Sequence, residues 1–276
     1  MHSQLALLLL SAGLLAGCAA PTPEARRQHA DSLAAARGWQ RLTLPTDDFV
    51  LAAYGPAAAA GATLTIYIEG DGLAWLSRAR ASDDPTPLRP LALQLALQHK
   101  QGPAAYLARP CQYVDGAERR ACEPDYWTGH RFAPPVVAAS NQAIDALKRR
   151  YGATQLVLVG YSGGAAVAAL VAARRADVAR LVTVAGNLDH AAWTALHDVP
   201  ALSGSLNPAD AWARLQYIPQ WHFIGAADAN VGPAVAAAYL ARFPAARRPH
   251  LQVVAGFDHS CCWAEQWPAL SAPAFR

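Results

Sequence analysis

The sequence predicts an α/β fold: a mostly parallel central sheet covered by helices on both faces. Three observations carry that prediction. Strand and helix signals alternate from Trp39 onward. Segments such as Leu156-Val157-Leu158-Val159 are continuously apolar, as strands buried on both faces must be. A chain of 276 residues also suits one large α/β domain better than two small ones.

The elements follow in order. Residues 39–44 and 49–54 read as two short strands around the turn Pro45-Thr46-Asp47-Asp48. Residues 63–68 alternate, are rich in β-branched side chains, and end at Glu69-Gly70-Asp71-Gly72. Leucines at helical spacing mark a helix over 88–99, and 104–107 is a short strand. A helix is predicted over 136–151, a buried strand over 155–159, and an alanine- and valine-rich helix over 163–175. Strands at 180–184, 222–224 and 251–254 complete the sheet, with a helix over 232–243. Residues 109–132 and 186–219 interrupt the alternation and leave the carboxyl ends of strands, the edge where open α/β sheets place ligands.

Apolar residues make up 53% of the chain and charged residues 16%, below the roughly 25% usual for soluble proteins. Much of the apolar excess is alanine, which favours helix without demanding deep burial. A net charge of +3 with no basic stripe gives no support to nucleic-acid binding.

Residues 5–15 form an apolar run interrupted only by Ser11, Ala12 and Gly13. It has the length of a signal-peptide hydrophobic region and is too short to span a bilayer. It ends in Leu15-Ala16-Gly17-Cys18, which resembles the lipobox of bacterial lipoproteins. The resemblance implies a leader over 1–17 and a lipidated Cys18 that becomes the first mature residue. With Ala19 following, it also implies sorting to the outer membrane of the cell envelope. The segment before the run carries His2 and no Lys or Arg, and the alternative is an ordinary cleaved signal. Residues 18–38 then read as a polar tether with some helix near its end, and the folded domain as 39–276.

Four cysteines remain, Cys111, Cys122, Cys261 and Cys262, and an exported protein usually oxidises them. Cys111 to Cys122 would close a short loop and is the first choice. Cys261 and Cys262 either form a vicinal pair or each reach back to Cys111 and Cys122. No C-x-x-C spacing or nearby pair of histidines suggests a metal site.

The chemistry concentrates at Gly160-Tyr161-Ser162-Gly163-Gly164, between a buried strand and an apolar helix. A serine hydroxyl must stand clear of the backbone to meet both a base and a carbonyl carbon. A sharp turn with small neighbours achieves this, and the helix behind it points its amide donors at developing negative charge. This G-x-S-x-G in a strand–turn–helix setting resembles the nucleophile elbow of the α/β-hydrolase superfamily, and the pattern extends over most of the chain. The resemblance implies a serine hydrolase in which Ser162 is the nucleophile and the Gly163 N–H an oxyanion donor. It calls for no metal or organic cofactor.

Family order then requires an acid and a histidine. Asp228, in Gly225-Ala226-Ala227-Asp228 after a strand, is the matching acid, with Asp189 as runner-up. His259, in Gly256-Phe257-Asp258-His259 after the last strand, is the matching base. His222 lies within a strand and reads as a packed histidine, and Asp258 as a residue holding its loop. The second oxyanion donor matches the Asp71 N–H, although Glu69 stands where many relatives carry histidine. That carboxylate either points away to hold the loop or binds a polar group of the substrate.

If the two irregular segments frame the cleft, Trp75, Tyr113, Tyr126, Trp127, His130 and Trp193 surround the substrate, with Tyr161 beside the nucleophile. The substrate-binding candidates are thus Trp75, Tyr161 and Trp127, and the expected partner is a small, partly apolar ester or thioester. The competing reading is an envelope lipoprotein that keeps the fold as a binding module without catalysis.

Overall fold

A computed structural model of the chain describes residues 20–275. The expected leader, 1–17, and Cys18 lie outside the described residues. Among the described residues there are ten strands: β1 (Trp39–Pro45), β2 (Val50–Pro56), β3 (Thr63–Ile68), β4 (Trp75–Ser77), β5 (Arg80–Ala81), β6 (Ala104–Leu107), β7 (Gln155–Tyr161), β8 (Val178–Val184), β9 (Gln220–Gly225) and β10 (His250–Val254). Eight of them form one sheet in the order β1-β2-β6-β3-β7-β8-β9-β10. The pairs β1/β2 and β2/β6 are antiparallel and all others are parallel. This is the mostly parallel sheet that the sequence predicts. β4 and β5 form a small separate hairpin.

The helices are α1 (Pro23–Ala35), α2 (Leu91–Leu97), α3 (Pro134–Arg150), α4 (Gly163–Ala172), α5 (His190–His197), α6 (Trp212–Leu215), α7 (Pro233–Leu240) and α8 (Trp263–Ser271). Period-two alternation in the strands divides the core. Leu64, Ile66, Leu156 and Leu158 pack with α3, α4 and α7 on one face. Tyr67, Val157 and Val159 pack with α1, α2 and α8 on the other. Every residue of α4 is buried, and its alanines let the helix lie close against β7 and β8. The alanine excess is thus spent on close approach as well as on helix propensity.

The chain passes from β3 outward to β6, then crosses back over β3 to β7. The loops after the neighbouring strands β3 and β7 therefore leave toward opposite faces, one to α2 and one to α4. Such a switch point opens a crevice at the carboxyl ends of the strands.

Two expectations need correction. Residues 23–35, read as tether, are a helix docked on the body, so the folded unit begins near Pro23 rather than Trp39. Thr22 caps the helix by accepting the Ala25 N–H at 3.2 Å. Ala30 and Ala34 are buried against the domain. Arg26, only 5% exposed, donates to the Thr86 carbonyl and lies 3.7 Å from Asp84. Two alanines and one arginine make no apolar period, which is why the sequence reads as polar linker.

The second correction concerns Trp127. Its ring is 4% exposed and its Nε1 donates to the Ser82 carbonyl at 2.9 Å, away from any cleft. Tyr113 is fully buried beside Tyr54 and Tyr106, and Tyr126 packs edge-on against Phe49 at 5.0 Å. The aromatics of segment 109–132 are the mini-core a long irregular loop needs. Its first half is closed by a Cys111–Cys122 disulfide with a Cα–Cα distance of 5.5 Å, a closure worth about 3 kcal/mol. Cys261 and Cys262 form a vicinal disulfide.

Candidate active site

Ser162 stands at the turn from β7 to α4 with φ 51° and ψ −121°, a left-handed backbone that costs a non-glycine residue about 1–3 kcal/mol. The surroundings over-determine it. The Ser162 N–H donates to the Val184 carbonyl, and its carbonyl accepts from Ala165 and Asn187. The small neighbours are obligatory: a Cβ on Gly160 would strike the backbone of Ala165, and one on Gly164 the carbonyls of Ile68 and Glu69. The turn therefore holds the hydroxyl out at the carboxyl edge of the sheet.

His259, on the loop after β10, bridges two groups. Its Nε2 lies 3.0 Å from Ser162 Oγ, and its Nδ1 lies 2.9 Å from Asp228 Oδ2. Asp228 follows β9, and its other oxygen accepts the N–H groups of Asn230 and Val231, both at 2.8 Å. Burial opposes ionisation of Asp228, but the imidazole and the two amides outweigh it and hold the carboxyl below its ordinary value. An ionised, fully engaged acceptor fixes the Nδ1–H tautomer, which leaves Nε2 free to take the serine proton. The loop is anchored at two further points: Tyr161 donates its hydroxyl to the His259 carbonyl at 3.2 Å, and Asp258 accepts the amides of Ser260 and Cys261.

Asp189 makes no hydrogen bond to His259. It caps α5 through Ala192 N–H and accepts the Asn207 amide at 2.9 Å. His222 is buried with Nδ1 2.8 Å from Thr183 Oγ1, and burial pushes its pKa down to about 3, as a packed histidine requires.

The loop after β3 lies directly against the nucleophile turn. A Cβ on Gly70 would come within 3.3 Å of the Ser162 Cβ, and one on Gly163 would overlap the Asp71 carboxylate. That carboxylate is clamped by two guanidiniums from segment 109–132: Arg109 Nη1 at 3.2 Å and Arg131 Nη1 at 2.7 Å. Arg109 also donates to the Arg131 carbonyl, and Gln112 donates to the Gly70 carbonyl at 2.9 Å. Burial works against the Asp71 charge, but Arg131 and Arg109 overcome it and keep the carboxyl below its ordinary range. A cleft of about 590 Å³ opens over Ser162 and His259. Trp75, Leu88, Arg89, Arg131, Trp193 and Asn230 are among its walls. Trp75 and Tyr161 line it; Trp127 does not.

No family model matches the chain, and no curated protein matches it. Solved structures do. An esterase from Pyrococcus furiosus superposes with a TM-score of 0.59 at 14% identity, covering 86% of this chain and 89% of its own. The esterase domain of a Rhodothermus marinus protein gives 0.57 at 16% identity, covering 86% and 98%. An α/β serine hydrolase without lid from Xanthomonas campestris gives 0.54 at 16%, covering 84% and 92%. The fold is that of the α/β hydrolases.

Within this α/β-hydrolase fold, Glu69 settles the question its sequence position raises. Its side chain is 1% exposed and turns away from Ser162. Oε1 accepts the N–H groups of Gly70 at 2.9 Å and Ala92 at 3.4 Å, and Oε2 accepts the Tyr106 hydroxyl at 3.1 Å. It ties the β3 loop to the start of α2. Burial pushes this carboxyl up to about 7 against the pull of those donors, from an ordinary value of 4.5. Between those values the folded chain holds a proton the unfolded chain has lost, so the contribution of Glu69 to stability declines by about 3 kcal/mol as pH rises across that window. Buried His99 and His222, with pKa values pushed down to about 4 and about 3, act in the opposite sense over part of it. The observable is therefore a difference: Glu69→Gln should gain about 3 kcal/mol relative to the parent chain between pH 4.5 and pH 7.5. Urea denaturation at the two pH values checks this, and a pH-independent difference would show that the carboxyl titrates normally.

Proposed function

We propose that the chain is a serine hydrolase of carboxylic esters or thioesters. One observation carries the reading: a single imidazole reaches the Ser162 hydroxyl at 3.0 Å and the Asp228 carboxylate at 2.9 Å. In this mechanism Ser162 Oγ attacks the acyl carbon while His259 Nε2 takes its proton. The tetrahedral oxyanion is met by the N–H groups of Gly163 and Asp71, a type of donor worth about 2.7–4 kcal/mol each. His259 returns the proton to the departing alcohol or thiol. Water, activated by the same imidazole, then cleaves the acyl-enzyme and regenerates the serine. The Asp228 carboxylate stabilises the imidazolium of both steps without itself taking the proton. The esterases and serine hydrolases that share the fold support the assignment to ester chemistry.

The same reading places the enzyme in a bacterial envelope, anchored by a lipid on Cys18 after removal of residues 1–17, with the outer membrane as its destination. The sequence Leu15-Ala16-Gly17-Cys18 and two disulfides suited to an oxidising compartment support this.

Incubation with a fluorophosphonate probe, followed by peptide mass spectrometry, tests the chemistry. A single adduct on Ser162 is expected, lost in His259→Ala. A folded protein with no adduct and no turnover of p-nitrophenyl esters would instead mark a binding module.

A further inference from the structure

Two arginines, Arg89 and Arg131, line the cleft. Two guanidiniums, Arg109 and Arg131, share the single Asp71 carboxylate, although their side chains are only 5% and 7% exposed. The other acidic residue of the cleft wall, Glu69, is directed into the protein toward α2 and Tyr106. Arg131 is held on three sides: Nε donates to the Thr128 carbonyl at 2.7 Å, Nη1 engages Asp71, and Cζ lies over the Trp193 ring, 5.9 Å from its centroid. Its Nη2 makes no hydrogen bond among the described residues and is not sealed from solvent. Arg89 stands in the same cleft, exposed, with no side-chain partner among the described residues.

We propose that Arg131 and Arg89 form an anion subsite, and that the ester turned over here carries a carboxylate or phosphate beside its scissile bond. The inference rests on the hydrolase reading above and narrows its substrate class. A guanidinium fixed by an internal carboxylate and an aromatic face has already lost its rotamer freedom, so its open edge binds a carboxylate or phosphate at little further entropic cost. Arg89, exposed in the same cleft, supplies the second cation to the anion. Trp75 and Leu88, both exposed at the mouth, accommodate the apolar carbons between the anion and the ester. A neutral ester of equal length reaches the same serine but leaves the open edge of Arg131 and the Arg89 head group unanswered.

Two matched pairs locate the anion. p-Nitrophenyl hemiglutarate against p-nitrophenyl valerate places it on the acyl side, and 4-acetoxybenzoate against phenyl acetate on the alcohol side. In at least one pair kcat/KM should favour the anionic ester tenfold or more, and the advantage should shrink as KCl is raised. In Arg89→Gln the ratio within that pair should fall at least fivefold, and in Arg131→Gln further. Arg89 is exposed and has no side-chain partner among the described residues, so its variant remains informative if Arg131→Gln fails to fold. Fluorophosphonate labelling of Ser162 without an anionic preference in either pair, or a preference that survives Arg89→Gln intact, overturns the subsite alone. No label and no turnover overturns the hydrolase reading and the subsite with it.

Discussion

Ser162→Ala and His259→Ala are each expected to lower ester turnover by about a millionfold, close to 8 kcal/mol of transition-state stabilisation, and Asp228→Asn by about ten-thousandfold. The ordering follows from the geometry. Serine and histidine are the two ends of one proton transfer across 3.0 Å, so removing either removes the whole step. The double variant should therefore be no worse than either single one. Asparagine at 228 preserves shape and the Asn230 and Val231 contacts through its oxygen, but it presents an N–H₂ to His259 Nδ1. The ring then favours the tautomer with its proton on Nε2, where it has to accept one. Asp189→Asn supplies the contrast: it loosens the cap of α5 and leaves the imidazole untouched. Steady-state kinetics on a p-nitrophenyl ester, with circular dichroism to confirm folding, separates these cases. Near-normal turnover in Asp228→Asn would remove the acid from the mechanism.

What the sequence discloses and what it hides divide along contact range. The nucleophile turn is legible because strand, turn and helix are one contiguous stretch from Gln155 to Ala172. Asp228 and His259 are legible because parallel strands deliver their loops to the same edge, and each follows a recognisable strand. Arg109 and Arg131 carry no such mark. They meet Asp71 across 38 and 60 residues, and nothing in a run of Pro, Cys, Gly and Trp announces which basic residue turns inward. The only available signal is that Arg109 opens the segment and Arg131 stands next to its end. Trp127 shows the opposite failure: an aromatic in an irregular segment signals burial somewhere without saying whether in a cleft or a mini-core. Glu69 follows β3 beside the nucleophile turn yet serves as a strut, because its carboxylate finds the start of α2, a helix end whose amides lack intrahelical partners.

Asp71 is where the stability of the loop and the shape of the site meet, and its substitution should be the most damaging change outside the triad. Asp71→Asn is expected to destabilise the protein by about 3–5 kcal/mol, because it leaves two largely buried guanidiniums with no counter-charge. The loss differs in kind from that of a surface ion pair, which would be about 1 kcal/mol or less. Replacing one cation as well should restore part of it: Asp71→Asn combined with Arg131→Met carries one unpaired charge instead of two, so the cycle should show a favourable coupling of about 1–3 kcal/mol. Denaturant midpoints for the four chains measure it, and strict additivity would mean the clamp carries no load. The kinetic effect should fall on kcat more than on KM. The Asp71 N–H survives the substitution, but the carboxylate that fixes it against Gly163 does not, and an oxyanion donor that must be repositioned in each turnover stabilises the transition state less than one held in place. Under the proposed mechanism, segment 109–132, stapled by Cys111–Cys122, would act on the reaction without touching the serine, by holding the backbone of the β3 loop against the turn where charge develops.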